Sequence, residues 1–306
     1  MPKAGVRVPA SSANLGPGYD SFGLALGLHD LFTAEPADEW QVCVGGEGAG
    51  ELAEDSGNQV ALAMARVFEA AQGAPPAARV VCENGIPTGR GLGSSAAAIV
   101  GGLMLGNVFV REPLPKQELF RMAVEMEGHP DNVAAALFGG LTLSWSDDGE
   151  PSCALLQPAC GLAGVLAVSC APLATTAARR MLPAEVPHAD AAFNAGRAGV
   201  LVAGLLLCSP ELVSVGLEDR LHEPYRAAAV EDLAAVRKAL LDAGADGAAL
   251  SGAGPTVIGL VTAEDDAAAL DRARRVAELT GEALTGSSSR RMPFAVGIDR
   301  SGAVLL

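Results

Sequence analysis

Apolar and polar positions along this chain follow two spacings, one typical of strands and the other of helices. Short apolar or alternating runs predict strands at residues 6–9, 28–34, 41–44, 79–84, 141–145, 164–170, 247–250, 256–261 and 293–298. Longer runs, with helical spacing or apolar on every side, predict helices at residues 59–71, 96–106, 116–127, 190–208, 230–243 and 263–279. Because strands and helices alternate without the regularity of a parallel sheet, the pattern predicts an α+β fold.

Capping and turn residues add detail to three of these elements. Thr262 and Asp265 have the spacing of a capping box at the start of helix 263–279. Segments 293–298 and 302–306 flank a polar turn, so we expect them to pair with each other. On the first helix, the residues expected to mark one face are Ala61, Leu62, Ala65 and Phe68.

Glycines at alternate positions mark the segment between strand 79–84 and helix 96–106, Pro87-Thr88-Gly89-Arg90-Gly91-Leu92-Gly93-Ser94-Ser95-Ala96-Ala97. They let the main chain approach an anion closely, and Ser94 or Ser95 can cap the following helix, whose free N–H groups point the same way. The pattern predicts a phosphate-binding loop. It lacks the Gly-Lys-Ser/Thr of a Walker loop, and Ser94 replaces the third glycine of the dinucleotide fingerprint. An ordinary glycine and serine turn is the alternative interpretation.

Acidic residues outnumber basic ones in this 306-residue chain, which gives a formal net charge of −15. Nucleic acids and anionic membranes select basic surfaces, so the charge argues against both as partners. Lysine occurs only at positions 3, 116 and 238, outside the glycine-rich segments. Bound phosphate must therefore be neutralised by backbone dipoles, arginine or a metal ion. The length and the 50% hydrophobic content suit one compact unit of two closely associated domains.

Cysteine and histidine patterns indicate neither a disulfide framework nor a metal centre. The six cysteines, at positions 43, 82, 153, 160, 170 and 208, include no Cys-x-x-Cys pair and are expected to be free thiols in a reducing compartment. The four histidines form no zinc pattern. Residues 1–5 show no signal-peptide core, and the longest apolar run, 198–208, is too short to span a bilayer. These features predict a cytoplasmic protein without membrane contact.

Three segments together resemble the motifs of the GHMP superfamily of small-molecule kinases. The glycine-rich segment 87–97 has the form of the second motif, Pro-x-x-x-Gly-Leu-Gly-Ser-Ser-Ala-Ala. Residues 8–23, VPASSANLGPGYDSFG, look like the first motif in the version found in homoserine kinases, and residues 249–256, ALSGAGPT, are similar to the third. Three motifs in this order are far more specific than one alone. The chain is therefore identified as a member of the superfamily that resembles its homoserine kinases.

The resemblance implies a two-domain α+β fold and an activity. An N-terminal ribosomal-protein-S5-like α/β domain is expected at residues 1–155, and a C-terminal ferredoxin-like α+β domain at residues 156–306. The implied reaction transfers the γ-phosphoryl group of ATP to the hydroxyl of L-homoserine with Mg²⁺, a step of threonine biosynthesis, and the family suggests a homodimer. Another small-molecule kinase of the superfamily, or a nucleotide-binding member without catalysis, is the alternative.

The same resemblance assigns the nucleotide and metal sites. The residues expected to bind ATP are Asn58, Pro87, Gly89, Arg90, Gly91, Leu92, Gly93, Ser94, Ser95, Ala96 and Ala97. Asn58 precedes a predicted helix, so a role as its N-cap is equally open. The metal is expected between Glu127 and the hydroxyl of Ser94 or Ser95, because Mg²⁺ takes few protein ligands and keeps several waters. Glu125 is expected on a solvated helix face.

The implied amino-acid site needs a cation for the carboxylate of the substrate and acceptors for its ammonium group. Arg179 and Arg226 lie in segments similar to those whose arginines hold that carboxylate in homoserine kinases, whereas Arg180 is expected at the surface. Further substrate contacts are expected from Asn14, Asp20, His129, Asn132 and Gly252. Outside the motif context, three of these would be interpreted as capping or turn residues, namely Asn14, His129 and Asn132.

The catalytic residues implied by the resemblance are Asp20, Thr175 and Glu127. Asp20 would either take the proton of the acceptor hydroxyl as a general base or only orient that hydroxyl. We favour orientation, because a loose phosphoryl-transfer transition state gives the nucleophile little need to lose its proton early. Thr175 is expected near the transferring phosphate.

Overall fold

The computed structural model describes residues 3–71, 74–158, 161–230, 232–285 and 291–306. Over these residues the chain forms eleven strands and ten α-helices, with the strands in two mainly antiparallel sheets. The predicted α+β class is therefore confirmed. Helices pack against both sheets, and the two sheets meet where the candidate site lies.

The first sheet has seven strands, β1 (Ala4–Ala13), β2 (Phe22–Ala37), β3 (Gln41–Gly46), β4 (Ala77–Asn84), β5 (Leu141–Asp147), β6 (Glu150–Leu156) and β11 (Val304–Leu305). Their order is β11-β1-β2-β4-β3, with β5 joined to β2 and β6 joined to β5. β3 and β4 pair in parallel and the other pairs are antiparallel. Four helices pack with this sheet, α1 (Gln59–Ala70), α2 (Ser94–Phe109), α3 (Lys116–Glu127) and α4 (Pro130–Phe138).

The second sheet has the order β10-β7-β9-β8, formed by β7 (Gly161–Ser169), β8 (Gly247–Leu250), β9 (Val257–Ala263) and β10 (Arg291–Gly297). Two helices pack on it, α9 (Leu233–Asp242) and α10 (Asp266–Leu284). Between β7 and β8 the chain forms α5 (Thr175–Arg180), α6 (His188–Leu207), α7 (Pro210–Gly216) and α8 (Glu223–Arg226). The chain leaves the first sheet after β6, but β11 returns to it, so a division after residue 155 stays a prediction.

Helix α2 is buried on nearly every side, as its apolar sequence predicts, and glycines let it pack closely. A Cβ on Gly101 would lie 2.3 Å from the ring of Phe32, and a Cβ on Gly102 would lie 2.4 Å from the carbonyl oxygen of Val60. The helix therefore lies directly on β2 and α1. This contact fixes the position of its N-terminus, where the glycine-rich loop ends.

The predicted face of α1 is wrong in part, because Ala61 is buried and Phe68 packs against the core, but Leu62 does not. Leu62 is 45% exposed, and the buried residues are Val60, Ala61, Ala63, Met64 and Val67. The reason lies on α2, because the backbone of α1 near Val60 and Met64 fits against Gly102 and Gly106. Helical spacing alone does not reveal which stripe meets those glycines.

Two other expectations near the C-terminus are also wrong. Segments 293–298 and 302–306 do not pair, since β10 pairs with β7 and β11 pairs with β1. Asp299 Oδ1 accepts hydrogen bonds from the N–H groups of Ser301 and Gly302, which turns the chain towards the first sheet. At α10 the N-cap is Asp265 rather than Thr262, whose hydroxyl donates to Asp246 instead.

The cysteines were expected to be free thiols in a reducing compartment. Cys43, Cys82 and Cys153 are free thiols, as predicted, whereas Cys208 is disulfide-bonded, against the prediction. Cys160 lies outside the described residues.

Helix α6 is, among the residues that the structure describes, the one helix with the length and composition to cross a membrane. Its polar residues bond within the domain, because Asn194 donates to Asp219 and Arg197 pairs with Glu218.

A buried ion pair fastens the second sheet to α9. The Arg291 side chain is 2% exposed, donates to both carboxylate oxygens of Asp232 at 2.6 and 2.8 Å, and also donates to the carbonyls of Ala167 and Pro255. We expect Asp232→Ala to lower the free energy of unfolding by about 3 kcal/mol, because it leaves a buried cation without its counter-charge. Urea unfolding followed by circular dichroism measures the change.

The matched control is Asp271→Ala. Asp271 pairs with Arg274 on α10, but both side chains are at least 60% exposed, so its loss is expected to cost less than about 0.5 kcal/mol. Equal unfolding free energies for the two variants would show that the buried pair contributes no more to stability than the exposed pair.

Candidate active site

The three motif segments meet and bond to one another. The main-chain N–H of Ser11 donates to the carbonyl of Leu92 at 3.0 Å, and that of Gly252 donates to Ala13 at 2.9 Å. The buried hydroxyl of Ser251 lies 2.6 Å from the Gly91 carbonyl oxygen and 2.9 Å from the Ser12 hydroxyl. Residues up to 239 positions apart therefore form one continuous, hydrogen-bonded wall.

Glycine is required at two points of this wall. A Cβ on Gly91 would lie 2.3 Å from the Ser251 carbonyl oxygen, and one on Gly93 would lie 2.1 Å from the Ser11 hydroxyl. Both glycines also have positive φ, +75° and +70°. The glycine-rich loop is thus shaped by close contacts as well as by its turns.

A cleft of about 110 Å³ opens between the two sheets. It brings together most of the predicted site residues, Asn14, Asp20, Gly89, Gly91, Leu92, Gly93, Ser94, Ser95, Glu127, His129, Asn132, Thr175, Arg179, Arg226 and Gly252. An adjoining cavity of about 350 Å³ shares Gly89, Ser94 and Ser95 with the cleft and is also lined by Asn58. The glycine-rich loop therefore lies between two connected spaces.

Five residues predicted to bind the nucleotide have other contacts or lie outside the cleft. Asn58 caps α1, with Oδ1 accepting from Val60 N–H and Nδ2 donating to the Ala53 carbonyl, so the N-cap alternative is the one observed. Arg90 donates to the carbonyls of Thr88, Ser169 and Cys170, which ties the loop to the end of β7. The other three are Pro87, Ala96 and Ala97. Ala96 and Ala97 are fully buried.

Arg226 is a buried cation without a carboxylate partner among the described residues. It is 1% exposed, and its Nη1 donates to the Gly252 carbonyl and to Nδ1 of His222. His222 Nε2 lies 2.7 Å from the Gly16 carbonyl oxygen, so this nitrogen donates and Nδ1 accepts. The Nε of Arg226 has no partner. Burial lowers the pKa of Arg226, and the nearby charge of Arg179 lowers it further.

Arg179 pairs with Asp20 across the cleft. Its two Nη atoms donate to Asp20 at 2.5 and 3.0 Å, and Nη1 also donates to the Tyr19 hydroxyl at 2.8 Å. The Tyr19 ring lies within 5.5 Å of both guanidinium groups, Arg179 and Arg226. Burial raises the pKa of Tyr19. Arg179, which is predicted to bind the substrate carboxylate, and Asp20, which is predicted to act in catalysis, thus neutralise each other.

Asn14 holds the backbone of this region. It has a left-handed conformation with φ of +68°, its Nδ2 donates to the Gly252 carbonyl at 2.8 Å, and its Oδ1 accepts from the Asp20 N–H at 3.0 Å. Both polar ends of the side chain are therefore engaged within the protein. Its predicted contact with the substrate stays a prediction, while its role in positioning Asp20 is visible in the structure.

Glu127 ends α3 and accepts a hydrogen bond from the Ser95 hydroxyl at 2.8 Å. A carboxylate at the C-terminus of a helix faces the negative end of the helix dipole, which favours a nearby cation. Carboxylate and hydroxyl oxygens are also the donors that Mg²⁺ prefers. Among the described residues no group of three His, Cys, Asp or Glu could hold a metal, so phosphate oxygens and water would have to complete such a site.

His129, Asp131 and Asn132 line the same side of the cleft at the start of α4. Asp131 Oδ1 contacts His129 Nδ1 at 2.8 Å and accepts the N–H of Asn132. Burial lowers the pKa of His129, but the hydrogen bond and the charges of Asp131 and Glu127 outweigh it and raise the pKa overall. Asn132 accepts from the Ser11 hydroxyl at 2.9 Å.

Comparison with known proteins shows the family to which the chain belongs. The family models named GHMP kinases N terminal domain and GHMP kinases C terminal match residues 58–140 and 206–279. A homoserine kinase of Streptomyces coelicolor is 42% identical over 305 residues, covering 98% of this chain and 94% of its own. The chain belongs to the homoserine kinases of the GHMP family. It is an ATP-dependent kinase.

Solved structures agree with this kinase's fold. The crystal structure of homoserine kinase from Cytophaga hutchinsonii matches with a TM-score of 0.87 and 26% identity, covering 100% of this chain and 98% of that one. A putative homoserine kinase from Listeria monocytogenes matches with a TM-score of 0.79 and 31% identity, covering 99% of both chains. The expected two-domain architecture is confirmed.

One cleft residue, Asp131, and two residues that contact the cleft's arginines, Tyr19 and His222, were missing from the sequence predictions. Tyr19 and Asp131 contact predicted site residues directly, and His222 orients Arg226. Each is a near neighbour in sequence of a predicted site residue, which is the signal that could have identified it. Their contacts, however, are made across the fold or within a single turn, and neither spacing nor residue type reveals those.

The close approach at Gly91 can be tested with two alanine variants of the kinase. We expect Gly91→Ala to lower the free energy of unfolding by about 3 kcal/mol, since its Cβ would collide with two main-chain carbonyl oxygens, those of Ser251 and Gly254. Gly89→Ala is the control, because Gly89 also has positive φ but its Cβ would meet only Pro172 at 3.4 Å. That variant is expected to lose about 1 kcal/mol. Equal losses in urea unfolding would contradict the contact.

Proposed function

We propose that this kinase transfers the γ-phosphoryl group of ATP to the hydroxyl of L-homoserine, giving O-phospho-L-homoserine and ADP for threonine biosynthesis. The observation that carries the proposal is Arg226, a buried cation with no carboxylate partner among the described residues, facing the cleft beside Arg179. Burying a charge without a partner is costly unless a ligand supplies the opposite charge. The α-carboxylate of an amino acid is such a ligand.

The other side of the cleft suits the rest of an amino acid. Asp131, His129 and Asn132 present acceptors and donors at the start of α4, in the same cleft as the two arginines. Asp20 lines this cleft as well. In this arrangement the carboxylate would lie on Arg226 and Arg179, and the side-chain hydroxyl would point towards the glycine-rich loop.

Binding of the carboxylate would change the partner of Arg179. The guanidinium now pairs with Asp20, and a substrate carboxylate competes for the same donors. As Arg179 turns to the substrate, Asp20 becomes available to accept the hydrogen bond of the acceptor hydroxyl. The amino acid would thus prepare its own nucleophile, and Thr175 at the start of α5 would lie near the transferring phosphate.

ATP would place its phosphates on the glycine-rich loop, where the N-terminus of α2 supplies free N–H groups and a positive dipole end. Glu127 and Ser95 would hold Mg²⁺, which when bound neutralises charge on the phosphates. The expectation of Ser94 as the metal hydroxyl is less well supported than Ser95, since Ser95 is the serine bonded to Glu127. The loop has no lysine, so dipoles and metal share the neutralisation.

The sequence also left open a nucleotide-binding protein without catalysis. Asp20, Thr175, Glu127 and both arginines converge on the cleft, which favours the catalytic interpretation. Purified protein should release ADP with homoserine and Mg²⁺, and not with mevalonate, galactose or shikimate. Binding of ATP without turnover would contradict the proposed function. The expected cytoplasmic location, the homodimer and the lack of nucleic-acid or membrane partners stay predictions.

Substitution of Arg226 tests the carboxylate site. We expect Arg226→Met to raise the KM for homoserine roughly ten- to hundredfold and to leave the KM for ATP nearly unchanged, because a charge-assisted contact worth about 1.5–3 kcal/mol is lost. Methionine keeps an unbranched apolar stem at this buried position and removes the charge. A coupled ADP assay with varied homoserine and varied ATP measures both constants.

Arg180→Met is the control for that variant. Arg180 is the neighbour of Arg179, is exposed and carries the same charge. Its kinetic constants should match those of the unsubstituted kinase. A rise in the KM for ATP, rather than for homoserine, in Arg226→Met would place the carboxylate site elsewhere.

Asp20→Asn distinguishes orientation from base catalysis. If Asp20 orients the hydroxyl, kcat should fall by less than about 10²-fold, because the amide oxygen still accepts the hydrogen bond. The pH profile of kcat should keep its shape. A loss within the roughly 10²- to 10⁴-fold range of general-base catalysis, together with a changed pH profile, would assign the proton transfer to Asp20.

A further inference from the structure

The adjoining cavity contains a buried carboxylate that the proposed phosphoryl transfer leaves unused. Asp30 lies on β2, is 2% exposed and lines this cavity. It belongs to none of the three motifs. A buried acid at a ligand cavity calls for an explanation, because its charge is costly unless its oxygens are bonded.

One oxygen of Asp30 is fully accounted for. Oδ1 accepts the main-chain N–H groups of Gly85 at 2.8 Å and Ile86 at 2.9 Å, just before the glycine-rich loop. These two bonds fix the rotation of the carboxylate. The position of the other oxygen, Oδ2, is therefore fixed as well.

Oδ2 makes no hydrogen bond to any residue within the described ranges. Since Asp30 is closed off from the outer surface and lines the cavity, a donor would reach Oδ2 from the cavity. Asn84, another lining residue, also has one polar atom without a partner. Its Nδ2 donates to the Glu47 carbonyl at 3.0 Å, while its Oδ1 is buried without a partner.

The remaining walls suit a flat, uncharged ring. Apolar groups are contributed by Phe32, Leu52, Val60 and Ala98, and no lysine, arginine or histidine is among the described residues that line the cavity. A phosphate would meet the negative charge of Asp30 here. The volume of about 350 Å³ lies within the range of ligand pockets.

The position of the cavity relates it to the nucleotide. Gly89, Ser94 and Ser95 line both this cavity and the cleft. A nucleotide whose phosphates lie on the glycine-rich loop, with its γ-phosphate towards the cleft, would extend its base into the adjoining cavity. The inference below rests on the proposed function in this one respect, that the triphosphate lies on that loop.

We propose that Asp30 selects adenine as the nucleobase by accepting a hydrogen bond from its exocyclic amino group. Adenine carries an amino donor at C6, whereas hypoxanthine and guanine carry a carbonyl oxygen at that position. A carbonyl oxygen facing a carboxylate oxygen gives two acceptors without a proton between them, which leaves the buried carboxylate unsatisfied. Asp30 thus determines specificity while its Oδ1 shapes the entry to the loop.

The protonation of Asp30 adds a second signature. Burial raises its pKa to about 7, against the lowering effect of the Ile86 and Gly85 hydrogen bonds. Among the surrounding titratable groups, Glu47 raises the pKa of Asp30 further, and His29, which is paired with Asp299, lowers it. The third group, Cys82, has a pKa of about 12 and stays neutral. Below pH 7 the carboxyl gains a proton and becomes a donor at Oδ2, so the preference for adenine should weaken there.

The test compares ATP with ITP, which differs from ATP at C6 of the base and in the protonation of N1. In Asp30→Asn the amide oxygen can keep both loop hydrogen bonds, while Nδ2 replaces the cavity-facing acceptor with a donor. We expect the ratio of kcat/KM for ATP to kcat/KM for ITP to fall at least tenfold, with ITP turnover increased. In the unsubstituted kinase the same ratio should fall between pH 8 and pH 6, and in Asp30→Asn it should stay constant.

Glu83→Gln is the charge-matched control, because Glu83 lies on the same stretch of β4 as Asn84 but is exposed. Its ATP to ITP ratio should equal that of the unsubstituted kinase. An unchanged ratio in Asp30→Asn would overturn the inference, as would a change in the use of 2′-deoxy-ATP without any change between ATP and ITP, since that result assigns Asp30 to the ribose. Failure of the unsubstituted kinase to phosphorylate homoserine with ATP would instead contradict the proposed function. Calorimetric titration with ADP and IDP provides the same comparison without turnover.

Discussion

Main-chain contact between three distant loops is the constraint on which the site depends. The carbonyls of Leu92 and Ala13 and the buried hydroxyl of Ser251 join the glycine-rich loop to β1 and to the turn after β8. The contact leaves no room for a side chain at Gly91 or Gly93. The glycine-rich loop follows a strand of the first sheet, and the turn after β8 belongs to the second sheet. The same contact therefore brings both sheets to the cleft.

In the proposed function, this arrangement explains how a chain with a net charge of −15 would receive an anionic nucleotide and an amino acid. The overall charge acts at long range and is screened by salt, whereas a site is governed by groups within a few ångströms. Here those groups are the N-terminus of α2 and two arginines, while the acidic residues of the cleft are bonded to neighbours. The adjoining cavity has the opposite character, with acceptors and no cation among its described lining residues.

The sequence predicted the bounds of some elements well, but it predicted poorly which faces pack and which strands pair. The bounds of α3 and β8 match the predicted ranges, because glycine and proline mark the ends of α3 and a glycine turn follows β8. The face of α1 was partly wrong because glycines of another helix select it. The C-terminal hairpin was wrong because each of its strands pairs with a strand far away in sequence. The segments β6, α5, α7 and α8 were not predicted at all. Most predicted site residues line the cleft, although Pro87, Arg90, Ala96 and Ala97 do not, and the contacts with Tyr19 and Asp131 required the fold.

The two arginines of the cleft differ in freedom, and this difference suits them to different tasks. Arg226 is enclosed, with His222 and Gly252 fixing its donors, and α8 is itself held by Glu223, which accepts the N–H of Leu250 and pairs with Arg237. Arg179 is about one-third exposed and lies on a helix of six residues. A fixed cation recognises an anion without reorganisation, whereas a more exposed one can exchange partners as the anion arrives. Because Arg179 is bonded to Asp20, the proposed function would make recognition of the substrate and release of Asp20 a single event.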